Sequence, residues 1–141
     1  MTKAERFAQI AKSYENTPFL DHGREPHKWL DCAGVLVCAL AEMGIAHTDI
    51  PYDLNAFHNY LQEMENCFAA TFVRVETSIF EKGDVLALNF PKIPNHAGVC
   101  MSNDYLVHAT KPNGVRETSI DYSIRSRVVS VWRLPDAGEA V

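Results

Sequence analysis

The stretch from Trp29 to Gly44 constrains this chain most. It reads Trp29-Leu30-Asp31-Cys32-Ala33-Gly34-Val35-Leu36-Val37-Cys38-Ala39-Leu40-Ala41-Glu42-Met43-Gly44. The run from Cys32 to Ala41 is wholly apolar. It holds no proline, and Gly44 stands where a helix-ending C′ residue belongs, so the pattern predicts a helix over Cys32–Met43. The run is too short to span a bilayer. Cys32 therefore falls at or just before a helix N-terminus. Unpaired N–H groups and the positive end of the helix dipole favour an anion there. A thiol so placed is expected to have its thiolate form, the nucleophile, stabilised.

Composition bounds the rest. The 141 residues suit one domain, 1–141. Hydrophobic residues make up 47% and charged residues 22%, as in a soluble globular protein that builds its core without metal or disulfides. The net charge is −5 with no basic run, which argues against nucleic acid as a partner. Met1-Thr2-Lys3-Ala4-Glu5-Arg6 lacks an apolar signal core, so no cleaved signal peptide and no membrane insertion are expected. The cysteines Cys32, Cys38, Cys67 and Cys100 form no Cys-x-x-Cys pair, which suits neither a zinc ribbon nor a redox motif.

Taken in order, Thr2 and Glu5 form a capping box ahead of Ala4, Phe7, Ala8, Ile10, Ala11 and Tyr14, predicting a first helix over Lys3–Tyr14. Pro18 ends it. Residues 17–31 read as an irregular polar loop with His22, Arg24, His27 and Trp29, more a site wall than a spacer. After the second helix, Asp53 is a candidate N-cap for a third helix marked by Leu54, Phe57, Leu61 and Met64 and ending near Asn66. The second half reads as strands: Phe72–Glu76, Val85–Phe90, His96–Met101, Tyr105–Ala109, Val115–Thr118 and Val128–Leu134. Pro91–Asn95 is a proline-bounded loop. Helices first and antiparallel strands later make an α+β pattern. Trp29 and Trp132 are expected in the core.

A thiol nucleophile needs a base. His96 and His108 sit in the two strands flanking Ser102-Asn103-Asp104. With a three-residue loop, Met101 faces Tyr105, His108 falls opposite Gly98, and His96 lies diagonally across on the same face, with Gly98 leaving the space between them open. A two-residue Asn103-Asp104 loop would put the histidines on opposite faces. Under the first alternative, a helix N-terminus packed on that face could present Cys32 to His96. His108 would orient His96, and the Cys32 N–H would serve the oxyanion. Three ligands and water at Cys32, His96 and His108 would also suit zinc.

Several blocks, in order, resemble the NlpC-type cell-wall peptidase family of papain-like cysteine peptidases. They are Thr17-Pro18-Phe19 with His22-Gly23-Arg24, Leu30-Asp31-Cys32-Ala33-Gly34-Val35-Leu36, Gly83-Asp84-Val85-Leu86, His96-Ala97-Gly98-Val99 and Val107-His108-Ala109. The first block and the closing Arg127–Pro135 segment look closest to the branch found in phage tails and prophage modules. The resemblance implies N-terminal helices packed on a central antiparallel sheet. Cys32 would be nucleophile, His96 base and His108 third polar residue. Asp31 would bind a substrate amine or order the site, and Phe19 and His22 would contact substrate. It implies hydrolysis of peptidoglycan stem-peptide amide bonds, typically γ-D-glutamyl bonds to a diamino acid, with no metal or organic cofactor. Many members carry Tyr where Phe19 stands, and Phe19 lacks that hydroxyl. With no wall-binding domain in the chain, phage tail proteins are the expected partners and the virion tail the expected location. A structural tail component with weak or lost activity and a secreted antibacterial amidase are the rival readings.

Overall fold

The computed structural model describes residues 1–50, 60–91 and 93–136, with the backbone alone at 93–95. Three helices lead: α1 (Lys3–Ser13), α2 (Cys32–Glu42) and α3 (Leu61–Ala69). Between α1 and α2 lies a short ribbon of β1 (Arg24–Glu25) and β2 (Trp29–Leu30). Then come β3 (Val73–Val75), β4 (Val85–Phe90), β5 (Ile93–Cys100), β6 (Tyr105–Thr110), β7 (Gly114–Ser119), the short α4 (Tyr122–Arg125) and β8 (Val128–Arg133). Strands β3 to β8 form one antiparallel sheet in the order β3-β8-β4-β5-β6-β7. This is the α+β architecture that the helix-then-strand pattern predicts.

The caps explain where the helices begin. Thr2 and Glu5 close the capping box that starts α1. Asp31 caps α2 by accepting the Gly34 N–H at 2.7 Å, and Gly44 takes the left-handed backbone just past the helix end. The Tyr14 hydroxyl bonds Glu42, tying α1 to α2. The third helix extends past Asn66 to Ala69, and its expected N-cap, Asp53, lies outside the described residues. Loop 17–31 is less irregular than its composition suggests. Arg24 pairs with Leu30, Glu25 pairs with Trp29, and Phe19 bridges Leu30 in parallel. Strand β5 begins at Ile93, so part of the expected proline-bounded loop is extended strand.

The sheet has two faces with separate cores. Val85, Ala87, Ala97, Val99, Val107, Ala109, Val115 and Trp132 pack with Phe7, Leu36, Leu40, Met64 and Phe68 from the helices. Leu86, Leu88, Cys100, Leu106 and Val131 turn the other way and pack with Phe80 and Ile120. Trp132 is in the core as expected, but Trp29 is 41% exposed. As the first residue of the two-residue strand β2, it faces outward while its neighbour Leu30 takes the inward place.

Candidate active site

The hairpin joining β5 and β6 decides which residues meet. Val99 pairs with Val107 and Cys100 with Leu106, and the Met101 N–H donates to the Tyr105 carbonyl at 2.8 Å. The loop is therefore the three residues 102–104, and the register sets His108 across from Gly98 with His96 on the diagonal. Nε2 of His96 lies 2.8 Å from Nδ1 of His108, with both rings buried. Nε2 of His108 lies 3.0 Å from Oγ1 of Thr118 on β7. The ring of Phe90 meets His96 edge-on, 5.6 Å between centroids.

The placement of Cys32 relative to this pair differs from the expected one. His96 pairs with Leu88, and Leu106 with Thr118, so both histidines share the face of Leu88 and Leu106. Helix α2 packs on the opposite face, because Ala97, Val99 and Val107 supply its apolar seat. Cys100 donates its N–H to Asp84 of the β4 side, so by alternation Ala97 and Val99 aim theirs at β6. Pairing between β5 and β6 stops at Val99–Val107, although both strands continue with their outer neighbours. Beside that opening the Ala97 N–H, from the residue after His96, is close enough to the Cys32 sulfur to favour its thiolate. Among the described residues no hydrogen bond joins the thiol to His96 itself.

Gly98 also behaves differently from expectation. A Cβ there would lie 2.6 to 2.9 Å from the side-chain carbons of Leu106. The space it leaves is thus filled by Leu106 rather than kept open between the histidines. Gly34 has its own reason: a Cβ at that position would collide with the carbonyl oxygen of Gly23, so its absence lets loop 17–31 close onto the first turn of α2.

Electrostatically the resting site is neutral. Burial pushes the Cys32 thiol up, and the Asp31 charge adds to this. The N–H groups of Ala97 and Ala33 and the Arg24 guanidinium pull the other way and are outweighed. The thiolate expected from the helix N-terminus is therefore not the resting form. Burial, then the neighbouring His108, lowers His96 to about 3, and burial lowers His108 to about 4. Both imidazoles are uncharged near neutral pH.

Asp31 is fully buried and committed. Its Oδ1 accepts from Gly34 and, at 2.7 Å, from Nη1 of Arg24; its Oδ2 accepts the His22 N–H at 2.8 Å. Burial still raises its carboxyl against those donors. Of its two expected roles, ordering the site is the one this geometry describes. His22 has left-handed backbone and a side chain 63% exposed beside Asp21, while Phe19 is half-buried against the helix-side core. Neither lies in the His96–His108–Thr118 chain. Thr118 is the residue that sequence reasoning passed over. Its position diagonal to His108 could have been read from the same strand count that paired the histidines.

The model of the NlpC/P60 family matches residues 16–133. This chain belongs to the NlpC/P60 family. Solved structures agree in fold. The NlpC/p60 domain of the peptidoglycan hydrolase SagA superposes with a TM-score of 0.69 at 17% identity, covering 94% of this chain and 99% of that one. NlpC2 of Trichomonas vaginalis superposes with a TM-score of 0.72 at 18% identity, covering 94% of this chain and 46% of that one. A lipoprotein-like NLP/P60 protein of Staphylococcus aureus gives 0.66 at 14% identity, covering 93% and 41%. The chain thus spans less than half the length of the latter two. No curated protein matches it.

Proposed function

We infer that this NlpC/P60 chain is a cysteine hydrolase acting on amide bonds of peptidoglycan stem peptides, with Cys32 as nucleophile, His96 as base and His108 as orienter. The observation that carries the reading is the buried His96–His108 bond, in a strand whose Ala97 N–H lies close to the sulfur of a buried, helix-leading cysteine. Nδ1 of His96 is the ring nitrogen not used in that bond. It takes the thiol proton as Sγ attacks the scissile carbonyl carbon. The oxyanion forms at the start of α2, where the Cys32 N–H precedes the helix's own bonding. His96 then protonates the departing amine. Water attacks the thioester, gives its proton to His96, and leaves a carboxylic acid and the free thiol. A neutral thiol and neutral imidazole make the first proton transfer part of the attack.

The scissile bond is the γ-D-glutamyl link to a diamino acid, and the chain works as a tail-associated module at the cell wall. Support comes from the sequence blocks around Phe19, His22 and Cys32 and from the closing Arg127–Pro135 segment. SagA, a fold neighbour, is itself named a peptidoglycan hydrolase. The rival reading, a tail component with weakened activity, draws on Phe19, which has no hydroxyl to offer, and on a nucleophile with no exposed surface at rest. Incubation with defined muropeptides, read by mass spectrometry, separates the two. The Cys32→Ala variant should lose at least about 10³-fold in turnover while keeping its circular dichroism spectrum. Undiminished cleavage by that variant overturns the assignment.

A further inference from the structure

We propose that Thr118 is a positioning residue of this site, selecting the tautomer of His108 and through it the basic nitrogen of His96. The proposal deepens the reading above and rests on it. Register puts Thr118 opposite Leu106, two residue pairs from the His108–Arg116 pair, so its side chain rises on the histidine face. Its Oγ1 is 3.0 Å from His108 Nε2. Threonine is stiff about χ1, so the hydroxyl is held where the strand puts it.

Hydrogen-bond direction sets the tautomers of the pair. A neutral imidazole offers one donor and one acceptor. For His96 to receive a proton on Nδ1, its hydrogen must sit on Nε2 and be donated to His108 Nδ1. His108 then has to carry its own hydrogen on Nε2, and that hydrogen needs an acceptor in a buried place. Thr118 Oγ1, 3.0 Å away, is placed to accept it. Without it, the favoured arrangement is the reverse one, in which His108 donates from Nδ1 and His96 carries its hydrogen on the nitrogen meant for the thiol. Once His96 is protonated, its stronger donation to His108 polarises the His108–Thr118 bond in the same direction. An alcohol does not accept the proton outright, so the positive charge stays on His96.

The charged group across from His108 is Arg116, which is exposed and turns its Nε to the Asn113 carbonyl at 3.0 Å. On the other side stands His96.

The test compares the full chain with Thr118→Val, which keeps the shape and removes the hydroxyl, and Thr118→Ser, which keeps the hydroxyl. The substrate is a stem peptide containing γ-D-glutamyl-diaminopimelate. Thr118→Val should lower kcat about tenfold, the worth of one hydrogen bond, with KM unchanged and the acid limb of kcat/KM displaced. Thr118→Ser should recover most of the loss. Nitrogen-15 NMR of the wild-type histidines should show His108 protonated on Nε2, and Thr118→Val should mix the tautomers. A wild-type His108 protonated on Nδ1, a normal rate and pH profile in Thr118→Val, or a serine variant as impaired as valine each overturns the proposal. The NMR readout needs no turnover, so it decides the point even if no muropeptide is cleaved. Loss of activity in Cys32→Ala beside a normal Thr118→Val would remove Thr118 alone.

Discussion

The two faces of the sheet divide the work of the molecule. The helix side is broad and apolar, with Leu36, Val99 and Val107 fully buried among aromatic rings from α1, α3 and β8. The other side has a thinner apolar cluster capped by Phe80, Ile120 and the single turn of α4, and it carries the His96–His108–Thr118 chain. The broad apolar packing lies where α2 is seated, and the buried imidazole pair lies on the other face. Cys32, proposed above as nucleophile, belongs to the helix side and lies near the Ala97 N–H beside the opening between β5 and β6. One sheet can thus hold a buried imidazole pair without interrupting its main core.

Three perturbations probe that division. The largest effect is expected on the helix side. Leu36→Ala should cost about 2–5 kcal/mol in denaturant unfolding, by loss of burial and a residual cavity, with little change in kcat of the folded fraction. A collapse of kcat with unchanged stability would contradict the separation of faces. Next is acid sensitivity on the histidine side. His108 takes up its proton at about 4 when folded and near 6.5 when unfolded. The unfolded chain therefore binds more protons between those values, and stability falls as pH drops through that window, by up to roughly 3 kcal/mol. His108→Asn should remove its share of the dependence and leave that of His96, which is lowered to about 3, and urea midpoints measured from pH 7 to pH 4 read it directly. The smallest effect belongs to Gly98. Displacing Leu106 with a Gly98→Ala methyl should cost about 1–3 kcal/mol and lower activity by disturbing the face that Leu106 shares with the histidine pair. A variant equally stable and equally active would show that Leu106 yields freely.

Much of this was legible from residue order. The capping box at Thr2 and Glu5, the α2 start at Cys32 and the glycine stop at Gly44 are local rules, and local rules survive folding. The histidine pair was legible only as one of two alternatives, because a loop's length sets the parity of both strands. The Met101–Tyr105 bond settles it. What escaped were facts of burial and of the third dimension. The charge state of Cys32 followed burial and the nearby Asp31 rather than the helix dipole, since loss of solvent outweighs the first-turn N–H groups. The face on which α2 packs depends on which side of each strand carries the small residues Ala87, Ala97 and Ala109, and a candidate base draws the eye to the wrong side. Loop 17–31 hid a ribbon of two-residue strands too short to leave a periodic trace.

The closeness of the Ala97 N–H to the Cys32 sulfur has a consequence for the design of variants at that position. The side chain at position 32 faces an amide beyond the last β5–β6 pair. Alanine there removes the polar atom nearest that amide, whereas serine keeps an oxygen in its path. A trapped-substrate complex built on Cys32→Ser should therefore melt closer to the native protein than one built on Cys32→Ala. By the same logic, a descendant of this chain that had given up catalysis would be expected to retain a hydrogen-bond acceptor at position 32.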